Sequence, residues 1–158
     1  MAEALLSIRD LTVEFGTEDG VVHAVSDVSY DLSAGETLGV VGESGSGKSV
    51  SVMTMLGLIP MPPGRVVKGE ALYKGRDLLT IPKKQLQNIR GGEVAMIFQD
   101  PMTSLNPVLT IGHQITEAIK THNPGIGDKA AHERTVHLLE IVGVPFAERR
   151  YEQVNRAR

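Results

Sequence analysis

Eight consecutive residues, at positions 42–49, combine the chemical groups that hold a chain of phosphates. They read GESGSGKS and match the pattern G-x-x-x-x-G-K-[ST] in full. Glycines allow the backbone to turn tightly, so that successive N–H groups converge on phosphate oxygens. Lys48 adds a positive charge for the β- and γ-phosphates, and the Ser49 hydroxyl can ligate Mg²⁺. The predicted phosphate-binding residues are Gly42, Glu43, Ser44, Gly45, Ser46, Gly47, Lys48 and Ser49.

The segments on either side of this loop provide the context that the motif requires. Residues 37–41, TLGVV, form a short continuous apolar run, which predicts a strand buried on both faces. Residues 49–59 have the length and composition of a helix that ends at Pro60. A helix beginning near Lys48 directs the positive end of its dipole towards the phosphates. A chance Gly/Ser loop would also join a strand to a helix, but the complete pattern in this context favours phosphate binding.

The rest of the chain predicts a mixed α/β domain with a helical appendage. Alternating apolar residues over 4–15 and 21–32, separated by the polar turn GTEDG, predict an antiparallel hairpin with one buried face. The run EVAMIF at 93–98 predicts a second strand buried on both faces. We further predict a strand over 69–73 and helices over 81–90, 110–121 and 128–142, the last with Asp128 as N-cap and Gly143 as C-terminal stop.

Composition excludes several classes of function. The chain has 158 residues, a net charge of −3 and a pI of about 5.9, so it has no basic field for nucleic acid. It has no cysteine for a disulfide, thiolate metal site or catalytic thiol, and its five histidines show no metal-ligand spacing. No apolar run reaches the ~18 residues of a membrane span, and the first residues do not resemble a signal peptide. Any work at a membrane would therefore be that of a peripheral partner.

Residues 96–107, MIFQDPMTSLNP, supply a second and more selective motif. Together with GESGSGKS, they make the chain resemble the ATPase subunits of ABC transporters, in the branch that imports dipeptides, oligopeptides and nickel. The resemblance runs from about Leu5 to about Gln153. It implies an α/β P-loop NTPase fold, with a RecA-like core, an antiparallel β subdomain and the start of a helical subdomain, incomplete in this chain. The implied boundaries are 1–98 for the β subdomain and core portion, 99–153 for the Q-loop and first helical part, and 154–158 for a divergent tail.

The resemblance also implies roles for individual residues. Gln99 matches the Q-loop glutamine, which touches Mg²⁺ and the attacking water and senses the transmembrane subunit; from the residues alone it would be an ordinary loop residue. Residues 100–107 match the loop that meets the coupling helix of the permease. Phe15 stands near the position of the aromatic that stacks on adenine, although a hairpin core residue is an equally good interpretation.

The function implied is that of the energy-coupling subunit of a peptide importer, which binds ATP and Mg²⁺ at the cytoplasmic face of the cell membrane. Its partners would be permease subunits and a second ATPase subunit. Residues 154–158 depart from the family pattern, and the signature motif and the Walker B acid are missing. We therefore expect a truncated or frame-shifted end, weak Mg-ATP binding without turnover, and a chain that is marginally stable or aggregates.

Two other functions stay open at this stage. The chain could be a non-hydrolysing fragment that only binds a nucleotide or a permease, or part of a nickel importer. A small P-loop kinase is disfavoured because no region for a phosphate acceptor is recognisable in the sequence.

Overall fold

A computed structural model describes residues 4–99 and 104–154 of the chain. The chain divides into two compact units, residues 1–90 and 91–158. The subdomain boundary expected at 98/99 concerns the architecture of a whole ATPase cassette, and it stays a prediction. Of the helices in the described ranges, none is long and apolar enough to cross a bilayer.

The first unit is built on an antiparallel sheet of four strands. These are β1 (Leu6–Thr17), β2 (Gly20–Leu32), β3 (Gly64–Tyr73) and β4 (Arg76–Asp77), in the order β2-β1-β3-β4. The predicted hairpin is confirmed as β1 paired with β2, and the strand predicted at 69–73 is confirmed as the second half of β3.

The core of this unit lies on one face of the sheet. Ile8, Leu11 and Val13 of β1 are at most 1% exposed, and β1 is a central strand with β2 on one side and β3 on the other. The alternation slips at register shifts in the pairing of β1 with β2, where Asp10 and Asp27 adopt a positive φ. Despite these irregularities, the buried apolar residues of β1 and β2 lie on the same face of the sheet.

Two helices belong to the same unit, α1 (Lys48–Met55) and α2 (Lys83–Ile89). Both were predicted, but α1 ends well before Pro60. Gly57 has a φ of 58° and its N–H bonds to the carbonyl of Thr54, while the N–H of Leu58 bonds to that of Met53. A glycine in the left-handed conformation therefore stops the helix before the proline is reached.

The two strands predicted to be buried on both faces are not strands in this structure. Residues 37–41 and 95–98 have no regular secondary structure, and Val41 and Ile97 are 93% and 97% exposed. A strand of this kind needs hydrogen-bonded neighbours on its edges and apolar cover on its faces. No strand in the described ranges pairs with either segment, so the prediction was wrong.

The second unit consists of three helices, α3 (Ile111–His122), α4 (Asp128–Ile141) and α5 (Ala147–Tyr151). The first two were predicted within a residue of their ends, whereas α5 was not predicted.

The ends of α3 and α4 follow recognisable capping patterns. The Thr110 hydroxyl accepts a hydrogen bond from the N–H of His113 at 3.2 Å and so caps α3. Gly127, not Asp128, is the N-cap of α4, so the prediction for Asp128 was wrong by one position. Gly143, with a φ of 76°, ends α4 as predicted.

A hydroxyl cluster joins these three helices. The Thr116 hydroxyl lies 3.0 Å from that of Thr135 and 3.2 Å from that of Tyr151. Thr135 is fully buried and also donates to the carbonyl of Ala131 at 2.9 Å. The Tyr151 ring fills the space above Gly112, where an added Cβ would lie 2.3 Å from its nearest ring atom. Polar groups inside this unit are therefore hydrogen-bonded to one another.

Candidate functional site

The backbone of residues 42–47 folds as a tight loop in front of α1. Gly45 and Gly47 have φ values of 81° and 83°, in the left-handed region that residues with a Cβ rarely adopt. The N–H of Ser46 bonds to the carbonyl of Glu43 at 3.2 Å and closes a turn within the loop. Glycine is thus required at positions 45 and 47 by the loop's own conformation.

The base of the loop rests on β2. A Cβ added at Gly47 would lie 2.0 Å from the carbonyl oxygen of Ala24 and 3.2 Å from a methyl group of Val25. At Gly42 an added Cβ would lie 2.8 Å from the hydroxyl oxygen of Ser46. Gly47 therefore allows the loop to approach the hairpin closely, while Gly42 leaves room for the Ser46 side chain within the loop.

The ammonium group of Lys48 lies within the loop. Its Nζ donates to the carbonyls of Gly42 at 2.7 Å and Glu43 at 2.5 Å, and to the hydroxyl of Ser46 at 3.1 Å. All three acceptors are neutral, and the described residues contribute no carboxylate partner to Lys48. Within the part of the chain that the structure describes, its positive charge is therefore held by hydrogen bonds and not by an ion pair.

The start of α1 adds further groups that suit an anion. Gly47 is the N-cap and provides no side-chain oxygen to the N–H groups of the first turn, and that turn contains no acidic residue. Ser49 lies in this turn and is exposed to solvent. N–H groups without a side-chain cap, an ammonium bonded to neutral oxygens and an exposed hydroxyl together form the donor set that a nucleotide phosphate chain with Mg²⁺ requires.

Phe15 lies near the far end of β1 and is half-buried. It pairs with Val22 of β2 and Gly64 of β3, and its ring lies 3.2 Å from the position of a Cβ added at Gly64. A ring lying over a glycine of the next strand is typical of cross-strand packing. Its role in stacking on adenine stays a prediction.

Gln99 is exposed and belongs to the second unit, and its role as the Q-loop glutamine stays a prediction. Half of the predicted permease loop, residues 100–103, lies outside the described residues.

The described half of that loop is held by Gln114, which sequence reasoning missed. The Gln114 side chain accepts from the N–H of Asn106 at 2.7 Å and donates to the carbonyls of Asn106 at 3.0 Å and Leu109 at 3.2 Å. A glutamine one turn after a helix N-cap, beside a Pro-rich loop, was the available clue, because an amide can both donate and accept.

No group of three or more His, Asp or Glu side chains is arranged to hold a metal ion among residues 4–99 and 104–154. Histidines in these ranges have structural neighbours instead. His23 lies 2.9 Å from a carboxylate oxygen of Glu14, and the ring of His132 lies 4.2 Å from that of Tyr151.

Comparison with known proteins places these features in one family. The sequence profile described as "ABC transporter" matches residues 25–156. Over 149 residues, 94% of the chain, it is 51% identical to an oligopeptide transport ATP-binding protein of Bacillus subtilis strain 168 and 50% identical to a dipeptide transport ATP-binding protein of Haemophilus influenzae. A dipeptide transport ATP-binding protein of Escherichia coli K12 is 50% identical over 142 residues. The chain spans only 41%, 44% and 43% of the lengths of these relatives.

The fold is also that of solved nucleotide-binding cassettes. A dimeric ATP-binding cassette in a post-hydrolysis state with ADP and Pi superposes with a TM-score of 0.76 at 19% identity. The match covers 95% of this chain and 61% of the other. Similarity at this level of identity concerns the fold alone, and it agrees with the predicted class of an incomplete P-loop NTPase.

Proposed function

Because this chain belongs to the ABC transporter family, we propose that it binds Mg-ATP through residues 42–49 as the front part of the energy-coupling subunit of a peptide importer. Peptide transport is favoured over nickel because the similar proteins are named for oligopeptides and dipeptides. The observation that carries the proposal is the Lys48 ammonium, which is fixed in the loop by three neutral oxygens. Phosphate oxygens would exchange for these weaker acceptors with a gain in Coulomb energy.

Each group of the loop has a task in this proposal. The N–H groups of residues 43–48 and the first turn of α1 bind phosphate oxygens, while Lys48 neutralises the β- and γ-phosphates. The Ser49 hydroxyl would hold Mg²⁺, which neutralises charge on the phosphates when it is bound. Gln99 would join that metal and orient the attacking water in a longer chain that also carries the remaining catalytic residues.

We propose that residues 1–158 on their own bind the nucleotide without turning it over. Phosphoryl transfer needs an acid that supports the metal and a group that orients water, besides a phosphate cradle. The Lys48 bonds within the loop go to carbonyl and hydroxyl oxygens, and the first turn of α1 contains no acidic residue. The subunit would work at the cytoplasmic face of the membrane, with residues 100–107 against the permease and a second ATPase subunit as partner.

The test is calorimetric titration of Mg-ATP into the wild-type chain and into Lys48→Ala. We expect the loss of one charged donor to weaken binding about 10- to 100-fold, corresponding to roughly 1.5–3 kcal/mol. Lys129→Ala is the matched control, since the Lys129 side chain is 91% exposed on α4. Equal affinity of the wild type and Lys48→Ala would refute the phosphate-loop assignment.

A separate test addresses catalysis. We expect no release of phosphate above background by the purified chain with Mg-ATP. Turnover that Gln99→Ala abolishes would contradict the proposed inactivity, while leaving the nucleotide-binding role intact.

A further inference from the structure

The unit formed by residues 1–90 contains a second concave site, behind the C-terminal end of α1. Its volume is about 420 Å³, within the range of roughly 300–1,000 Å³ in which proteins hold small organic molecules. Much of the wall is apolar and comes from side chains such as Ile59, Val66 and Leu79. None of the described residues that line it belongs to the phosphate loop, so the two sites can be tested separately.

The polar part of the wall is positively charged. Lys83 and Arg90 line the cavity together with the neutral side chains of Thr54 and Gln87, and no Asp or Glu is among the described lining residues. Arg90 donates from Nη2 to the carbonyl of Gly57 at 3.0 Å, and this is a neutral acceptor. Its Nε is buried without any hydrogen-bond partner. Two cations therefore face one cavity without a counter-ion in its lining.

We propose that this cavity binds a small amphiphilic anion, with one carboxylate or similar head beside Arg90 and Lys83 and an apolar body against the wall. A guanidinium whose bonding capacity is only partly used is the preferred partner of a carboxylate. The apolar walls gain by covering a hydrocarbon body rather than water. A zwitterion such as a free dipeptide is disfavoured, because its ammonium group would find no carboxylate in the lining.

The experiment is a titration of sodium octanoate into the full 158-residue chain, followed by calorimetry and by amide shifts in ¹H–¹⁵N spectra. We expect saturable binding with shifts in residues 57–61 and 78–90. Arg90→Gln should weaken the affinity about tenfold or more, and Lys83→Gln about threefold. Lys84→Gln removes the same charge from the same helix outside the cavity, so its affinity should stay within about twofold of the wild type.

Lys83→Gln keeps the test informative if Arg90→Gln fails to fold, because Lys83 is exposed and has no structural bond in the described chain. Octylamine and 8-aminooctanoate, which carry an ammonium group, should bind much more weakly than octanoate. Equal binding of octanoate and octylamine would overturn the proposal, as would an equal loss of affinity in Lys83→Gln and Lys84→Gln. Binding to anionic phospholipid vesicles without binding to octanoate would also overturn it, because the charged surface would then recognise a bilayer.

Discussion

Replacing Gly47 by alanine tests the contact between the phosphate loop and the hairpin. Gly45 and Gly47 have nearly the same φ, 81° and 83°, so each alanine variant bears the same left-handed strain, about 1–2 kcal/mol. Their surroundings differ, because a Cβ at Gly45 meets nothing within 4 Å, whereas one at Gly47 lies 2.0 Å from the carbonyl oxygen of Ala24. That separation is more than an ångström inside ordinary contact, and overpacking of this kind costs a further ~1–3 kcal/mol.

We therefore expect Gly45→Ala to lower the free energy of unfolding by about 1–2 kcal/mol and Gly47→Ala by about 2–5 kcal/mol. The measurement is a urea titration of each variant followed by far-UV circular dichroism, with the free energies of unfolding compared at a common m-value. The difference between the variants isolates the clash with β2, since the backbone strain cancels. Equal destabilisation would refute the close approach of the loop to β2, and with it the claim that the hairpin positions the loop at 42–47.

Three further predictions concern other parts of the chain. Ile97→Ser should reduce the binding of a hydrophobic dye without lowering the unfolding midpoint, because Ile97 is 97% exposed. The hydrogen bond from Lys120, and then the charge of Lys120, lower the pKa of Asp128. The pair should therefore stabilise the fold above the ordinary Asp pKa, and this stabilisation should be lost as the pH falls through the lowered pKa. In urea titrations at several pH values, Asp128→Asn should abolish this pH dependence of the free energy of unfolding. Gly112→Ala should destabilise the second unit by about 1–3 kcal/mol, measured by thermal unfolding, because the new methyl group would overlap the Tyr151 ring.

Each of these has a matched comparison. Ile8→Ser, in the buried core, should lower the midpoint strongly where Ile97→Ser does not. Salt should weaken the Asp128 effect, since both partners are exposed; an effect that persists in 1 M salt would contradict a simple ion pair. Gly39→Ala has nothing within 4 Å of its added methyl group and no positive φ, so a loss of stability as large as that of Gly112→Ala would argue against the overlap.

Features that depend on neighbouring residues could be predicted from the sequence. The hairpin follows from alternation in β1 and β2, and α3 and α4 follow from their periodicity. The tight glycine-dependent turn at 42–47 could be predicted because its glycines, lysine and serine are contiguous, while phosphate binding there stays a prediction. Gly57 was the available signal for the end of α1. Helices commonly end at a glycine in the left-handed conformation, and Gly57 comes before Pro60 in the chain.

Features that depend on partners distant in the chain could not be predicted in this way. Apolar runs at 37–41 and 93–98 show which residues favour burial, but burial also requires other strands to pair with them, and the described chain offers none. The bonds of Gln114 to the loop before α3 depend on where a half-buried side chain points, which periodicity does not encode. For the same reason the charged cavity near Arg90 has no sequence motif.

The two hydrogen bonds between the Gln114 side chain and the backbone of Asn106 have a consequence for how residues 104–107 move with α3. One rigid amide group bonds to both the N–H and the carbonyl of Asn106. Rotation of α3 about its axis should therefore move Asn106 with the helix. Glutamate at position 114 would still accept the hydrogen bond from the N–H of Asn106, but its second oxygen would repel the carbonyl oxygen of Asn106. Asn106 would then be held by one hydrogen bond and could rotate about it, whereas two hydrogen bonds fix its orientation relative to α3.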